Sequence, residues 1–204
     1  GSLLVAFGPA GSLLLSLTSS PQLWPLMLIS GFFFLVAQLL AALIWTAIFP
    51  IKSIVLLQLI VRVFSIEIFR YIFFRLYRRG EDRFSFHTAW ATSFFALQDL
   101  SSSLACGLAF GLVHSVTLFG LILRHSLGPA ALYSPHCTQM SVFTLSAGLS
   151  VAFQTIHALL MTMAFDGYER SSPVRIGWVI LLHLAAELLI LLSQLPDGCT
   201  ILLP

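Results

Sequence analysis

The chain has 204 residues, of which 58% are hydrophobic and 9% charged, with a net charge of +2 at neutral pH. Soluble domains carry about 25% charged residues, so there is too little polar surface here to coat a globule in water. The charge is also too small for a nucleic-acid partner, and no Lys/Arg stripe with interleaved aromatics appears.

Helices that are apolar on every side belong in lipid, where the backbone must satisfy its own hydrogen bonds. A span needs about 20 mainly apolar residues. The pattern predicts an all-α polytopic membrane helical bundle, one transmembrane domain over 1–204, with spans at 3–18, 23–49, 52–77, 102–124, 140–165 and 174–194. Turn formers separate these spans: Ser19-Ser20-Pro21, Pro50, Gly80-Glu81-Asp82, Gly128-Pro129 with Ser134-Pro135, Ser171-Ser172-Pro173, and Pro196-Asp197-Gly198. Residues 84–98 are rich in aromatics and are expected to lie along the interface before the fourth span. The first span is short, and Ile201 to Pro204 read as the start of a seventh, so both ends are expected to be incomplete. Trp24, Trp45, Tyr71, Tyr77, Tyr168 and Trp178 fall near helix ends, as an aromatic belt requires.

Basic residues set the orientation. The connections after spans three and five carry Arg75, Arg78, Arg79, Arg83, Arg170 and Arg175, against Lys52 and Arg124 on the opposite side. The Arg-rich side is therefore expected to be cytosolic and the first end lumenal. Cys137 and Cys199 then share the lumenal side, where a disulfide between them is permitted; two unpaired thiols are the equal alternative. Cys106 lies within a span and reads as a small buried apolar residue.

Charges at membrane depth cost about 2.5–3.5 kcal/mol each on insertion scales, so each asks for a partner. Span three holds Arg62, Glu67 and Arg70. Glu67 and Arg70 share a helical face and are expected to form a structural ion pair, while Arg62 can snorkel or pair across helices. His157 in span five and His183 in span six fall at like depth and suggest a shared intramembrane polar cavity, which His114 in span four can join. Glu187 follows His183 by four residues. Gly107, Gly111 and Ser115 recur every four residues in span four, a small-residue row that lets another helix backbone approach closely. No HExxH, nucleophile elbow, phosphate loop or dinucleotide glycine pattern is present, so no catalytic, cofactor-binding or metal site is expected.

Several segments, in order, extend this reading: Val5-Ala6-Phe7-Gly8-Pro9-Ala10; Glu67-Ile68-Phe69-Arg70 running into Tyr77-Arg78-Arg79; the Gly107-Gly111-Ser115 row; Leu127-Gly128-Pro129-Ala130; Thr155-Ile156-His157 through Ala164 to Arg170; and His183-Leu184. Together they resemble the anterior-pharynx-defective (Aph) subunit of gamma-secretase. Gly128 to Tyr133 and the Cys137 and Cys199 positions are nearest the plant-type members. The resemblance implies a seven-span, non-catalytic scaffold with a lumenal N-terminus, in the endoplasmic reticulum, Golgi and endomembrane or plasma membrane. It implies nicastrin, presenilin and the presenilin enhancer as partners, besides membrane lipids. It also implies an assembly role for Gly107, Gly111 and Ser115, and a polar cavity near presenilin's C-terminal segment lined by His157 and His183. Ser115 stands where that family usually has Gly or Ala, and Glu187 where it usually has a small or neutral residue.

A remoter resemblance is to the intramembrane CAAX-type metalloproteases. Glu67 to Arg70, Phe153-x-x-x-His157 and His183-x-x-x-Glu187 imitate their pattern, and Glu67, His157 and His183 are the types that hold zinc. Ile66 precedes Glu67, however, so their paired glutamates are lacking.

Overall fold

The computed structural model describes residues 1–17, 23–47, 55–85, 99–125, 127–128, 133–134 and 137–192. Along these run α1 (Ser2–Leu17), α2 (Leu23–Ala47), α3 (Val55–Ser85), α4 (Asp99–His125), β1 (Tyr133–Ser134), β2 (Cys137–Ser141), α5 (Val142–Glu169) and α6 (Pro173–Leu192). The fold is an all-α membrane helical bundle. Its outer faces are apolar: Leu4, Leu15, Leu28, Leu39, Val174 and Trp178 are all exposed. Four helices are long and apolar enough to cross a bilayer, namely α2, α4, α5 and α6. Two of the six predicted spans fall short by that measure. At 16 residues α1 is about 24 Å long, and α3 is diluted by Arg62, Glu67, Arg70 and the basic residues after them.

Local chemistry sets several of the ends. Ser141 caps α5 by accepting from the Thr144 N–H at 3.2 Å. The α5–α6 corner is a Schellman turn: Ser172 N–H donates to the Gly167 carbonyl at 2.9 Å and Ser171 N–H to that of Tyr168 at 3.2 Å. Ser171 takes the left-handed position with φ 48°, where glycine is more usual. Pro173 then opens α6, where its missing N–H costs nothing.

The predicted turn at Gly80-Glu81-Asp82 is not a turn. The helix α3 runs through it to Ser85. A helical glycine costs only about 1 kcal/mol, and this end of α3 is anchored, with Tyr77 packed on Phe165 and Arg78 paired to Glu169 at 2.5 Å. Tyr77 is accordingly buried rather than part of an interfacial belt. Residues 86–98, most of the predicted interface segment, lie outside the described residues, as do Ile201 to Pro204. A short antiparallel hairpin, β1 against β2, links α4 to α5.

The helices α4 and α5 form the central pair. A Cβ on Gly107 would sit 2.6 Å from the Ala158 Cα and 2.7 Å from the His157 carbonyl oxygen, and one on Gly111 would sit 2.5 Å from the Gln154 Cα. Ser115 completes the row and donates to the Ser150 carbonyl at 3.1 Å. The small-residue row is thus filled by α5 of the same chain. Around this pair, α2 packs on α3 and α4, α1 on α5 and α4, and α6 on α5 and α3. Phe34, Ile66, Phe73, Phe110, Met161 and Phe165 form the largest apolar core, at the meeting of α2, α3, α4 and α5.

Glycines along α4 should therefore differ sharply in tolerance. Gly111→Ala drives a methyl into backbone and should cost about 1–3 kcal/mol, the range for overpacking. Gly120→Ala, whose nearest neighbour would be Val116 Cγ1 at 3.6 Å, should be neutral or stabilising. Thermal unfolding of the two variants in the same detergent measures the contrast. Equal tolerance would contradict the close α4–α5 contact.

Candidate functional site: a buried polar centre

Arg62, Ile66 and Arg70 recur every four residues on α3, so both arginines share one inward stripe. Arg70 is fully buried. Its Nη1 donates to both carboxylate oxygens of Glu67, at 2.6 and 2.8 Å, and its guanidinium carbon lies 5.6 Å from the Phe110 ring centroid. From α6, His183 Nδ1 meets Glu67 Oε1 at 2.5 Å; since an ionised carboxylate only accepts, that nitrogen carries the proton. Glu67 thus has partners on two helices.

A second ion pair lies beside the first. Arg62 Nη1 donates to Glu187 Oε2 of α6 at 3.3 Å, and Arg62 Nη2 meets His114 Nε2 of α4 at 2.6 Å. His114 Nδ1 then faces His157 Nε2 of α5 at 2.6 Å, and His157 Nδ1 faces Arg70 Nη2 at 3.2 Å. The two histidines therefore bridge the two ion pairs. His114, His157 and His183 are all completely buried. Aromatic rings from three helices enclose the bridge: Phe34 stacks on His114 at 5.4 Å and meets His157 edge-on, Phe153 lies 4.5 Å from His114, and Phe110 flanks His157. Arg62 is the partly open member, and with Glu187 and Gln58 it lines an otherwise apolar cleft.

Of the residues singled out from sequence, Glu67, Arg70, His157 and His183 come together in this centre. Gly107, Gly111 and Ser115 line the α4–α5 contact next to it. Cys106 is buried. Cys137 lies on β2, while Cys199 falls outside the described residues and with it the proposed bridge. Sequence reasoning did not find the Arg62–Glu187 pair, whose members lie 125 positions apart, nor the three phenylalanines around the histidines. Gln154 was also missed; its side chain donates to the Ala6 carbonyl at 3.0 Å and ties α1 to α5. The one signal for Glu187 was its spacing from His183.

A family model described as Aph-1 protein matches residues 1–204. The chain belongs to the Aph-1 family. Similar proteins include the gamma-secretase subunit APH1-like of Arabidopsis thaliana, 34% identical over 100% of this chain and 84% of that protein. The gamma-secretase subunit Aph-1 of Drosophila melanogaster is 24% identical over 95% of this chain and 80% of its own length. The human gamma-secretase subunit APH-1B is 27% identical, covering 90% and 74%. In this Aph-1 chain the zinc-type residues Glu67, His157 and His183 meet other side chains, with His183 Nε2 left without a hydrogen-bond partner. Both Glu67 oxygens accept from Arg70, and both His157 nitrogens face other side chains. A fixed guanidinium beside the carboxylate also repels a second cation.

Breaking a buried ion pair leaves a charge without compensation. Glu67→Gln should therefore destabilise the protein by about 3–5 kcal/mol, whereas Glu67→Leu with Arg70→Met, which removes both charges, should recover most of that loss. Thermal unfolding in detergent provides the comparison. A single variant as stable as the parent would show that Glu67 is not the counter-ion of Arg70.

Proposed function

We propose that this Aph-1 chain is a non-catalytic scaffold subunit of gamma-secretase, holding presenilin and nicastrin and supporting assembly of the complex, with the presenilin enhancer as a further partner. Family membership over the full chain, with relatives named as gamma-secretase subunits, supports the subunit role. The observation that carries the non-catalytic reading is the commitment of Glu67 and His157 to other side chains. A general acid, base or metal ligand needs a lone pair or proton free for substrate. Both Glu67 oxygens are held by Arg70 of the same helix, and Glu67 and His157 are met across helices by His183 and His114. Their work on this reading is to fix helix positions. His157 and His183 would then shape the surface that presenilin recognises, and the row at Gly107, Gly111 and Ser115 would support assembly by keeping α4 against α5.

Six crossings in the domain 1–204, α1 and α3 included, fit the same reading. Glu67 and Arg70, the charges in the middle of α3, are buried in the bundle rather than aimed at lipid, which favours its spanning. The basic residues gather at one end, where Arg78 pairs with Glu169 and both Arg170 and Arg175 pair with Asp166. Such a cluster favours the cytosolic face, and on this reading the N-terminus is lumenal in endoplasmic reticulum and Golgi and outside at the plasma membrane.

A pull-down of the tagged chain from mild detergent tests the proposal. Presenilin and nicastrin should co-isolate with the unaltered chain. They should be reduced several-fold, relative to bait recovered, with His157→Ala plus His183→Ala. Proteolysis by the isolated chain alone, in the absence of presenilin, would overturn the scaffold reading.

A further inference from the structure

The line Arg62–His114–His157–Arg70 contains a conflict over protons. Guanidinium groups only donate. Arg62 Nη2 at 2.6 Å requires a lone pair on His114 Nε2, and Arg70 Nη2 at 3.2 Å requires one on His157 Nδ1. Each neutral ring would then carry its proton on the inner nitrogen. The inner nitrogens face one another at 2.6 Å, where two N–H groups cannot coexist. One outer contact must therefore give way.

Two arrangements resolve the conflict. In one, both rings carry the proton on Nδ1: Arg62 donates to His114, His114 donates to His157, and Arg70 keeps only Glu67. In the other, both carry it on Nε2: His157 donates to His114 and accepts from Arg70, and His114 Nε2–H turns to Glu187 Oε1, 3.5 Å away and otherwise without a hydrogen-bond partner. Mixed tautomers fail, because they set donor against donor or lone pair against lone pair at the central contact. Doubly protonated rings fail too, since a charge on His114 faces Arg62 and one on His157 faces Arg70. The remaining ionisable neighbours are Glu67 of α3 and His183 and Glu187 of α6; α2 offers only the Phe34 ring.

We infer that His114 is a positioning residue for His157: their single hydrogen bond forces both rings into the same tautomer, and Arg62 decides which. The outer contacts discriminate: Arg62 lies 2.6 Å from His114 and Arg70 3.2 Å from His157, which selects the arrangement with both protons on Nδ1. A displacement of Arg62 is then relayed to Arg70 through two rings, although the arginines do not touch. The inference stands on geometry alone and is independent of the scaffold role, so a failed pull-down would leave it intact.

Nitrogen-15 NMR of the histidine-labelled full chain in lipid bilayers tests it, with rings assigned through single His→Asn variants. In the unaltered protein the His114 and His157 signals should both show protonated Nδ1 and bare Nε2. In Arg62→Met both should exchange to protonated Nε2, including His157, which Arg62 does not contact. Arg62→Lys keeps a donor and should leave both rings as in the parent, which serves if the methionine variant does not fold. Mixed tautomers, or a doubly protonated ring, would overturn the relay. Matched rings already on Nε2 in the parent, or a His157 signal unmoved when that of His114 exchanges, would overturn Arg62 as its determinant.

Discussion

A guanidinium that no solvent reaches, in a bundle made for lipid, is the constraint from which the rest follows. Arg70 cannot shed its charge, so it must be met by an anion. Glu67 supplies the anion from the same helix, one turn away. The carboxylate then draws in His183 and fixes α6 against α3, while His157 of α5 faces the remaining guanidinium arm at 3.2 Å. Packing of the polar centre and packing of the bundle are one problem with one solution.

Lipid gives helices little hydrophobic reason to associate, since tails are as apolar as leucine. The bundle uses two other means. Backbone closeness at Gly107 and Gly111 brings dispersion contacts along the whole α4–α5 seam. Side chain to backbone hydrogen bonds then tie the periphery to that seam: Ser30 to the Cys106 carbonyl, Ser115 to that of Ser150, and Gln154 to that of Ala6. The aromatic enclosure by Phe34, Phe110 and Phe153 completes the arrangement. It shields the two histidines and, through Phe110, Arg70 from water, and so keeps the Glu67–Arg70 pair strong.

The bundle class and the helix positions were legible because a shortage of charge and 20-residue apolar runs are properties of the chain itself. The Glu67–Arg70 pairing was legible for a similar reason, since helical spacing puts the two side chains together wherever the helix goes. Partners on other helices were not. Nothing in the four-residue recurrence of Gly107, Gly111 and Ser115 says that α5 fills it, and nothing local joins Arg62 to Glu187. Gly80 and Tyr77 mislead for one shared reason: turn propensity and interfacial preference are weak against the contacts of Tyr77 with Phe165 and of Arg78 with Glu169. The relatives supply the family, while the bridge between the two ion pairs is visible only in the folded bundle.

The ion pair of Arg62 with Glu187, with His114 beside it, also bears on how such a chain can change over generations. Removing one member of a buried charge set costs several kcal/mol, whereas exchanging the whole set for apolar residues is often neutral. Arg62, His114 and Glu187 sit on three different helices yet cannot drift independently. A lineage would pass from the charged version to an uncharged one by near-simultaneous replacement, or through a weakened intermediate rescued elsewhere. Homologous proteins should therefore show these three positions as a linked genotype, either all polar or all small, with few chains caught between.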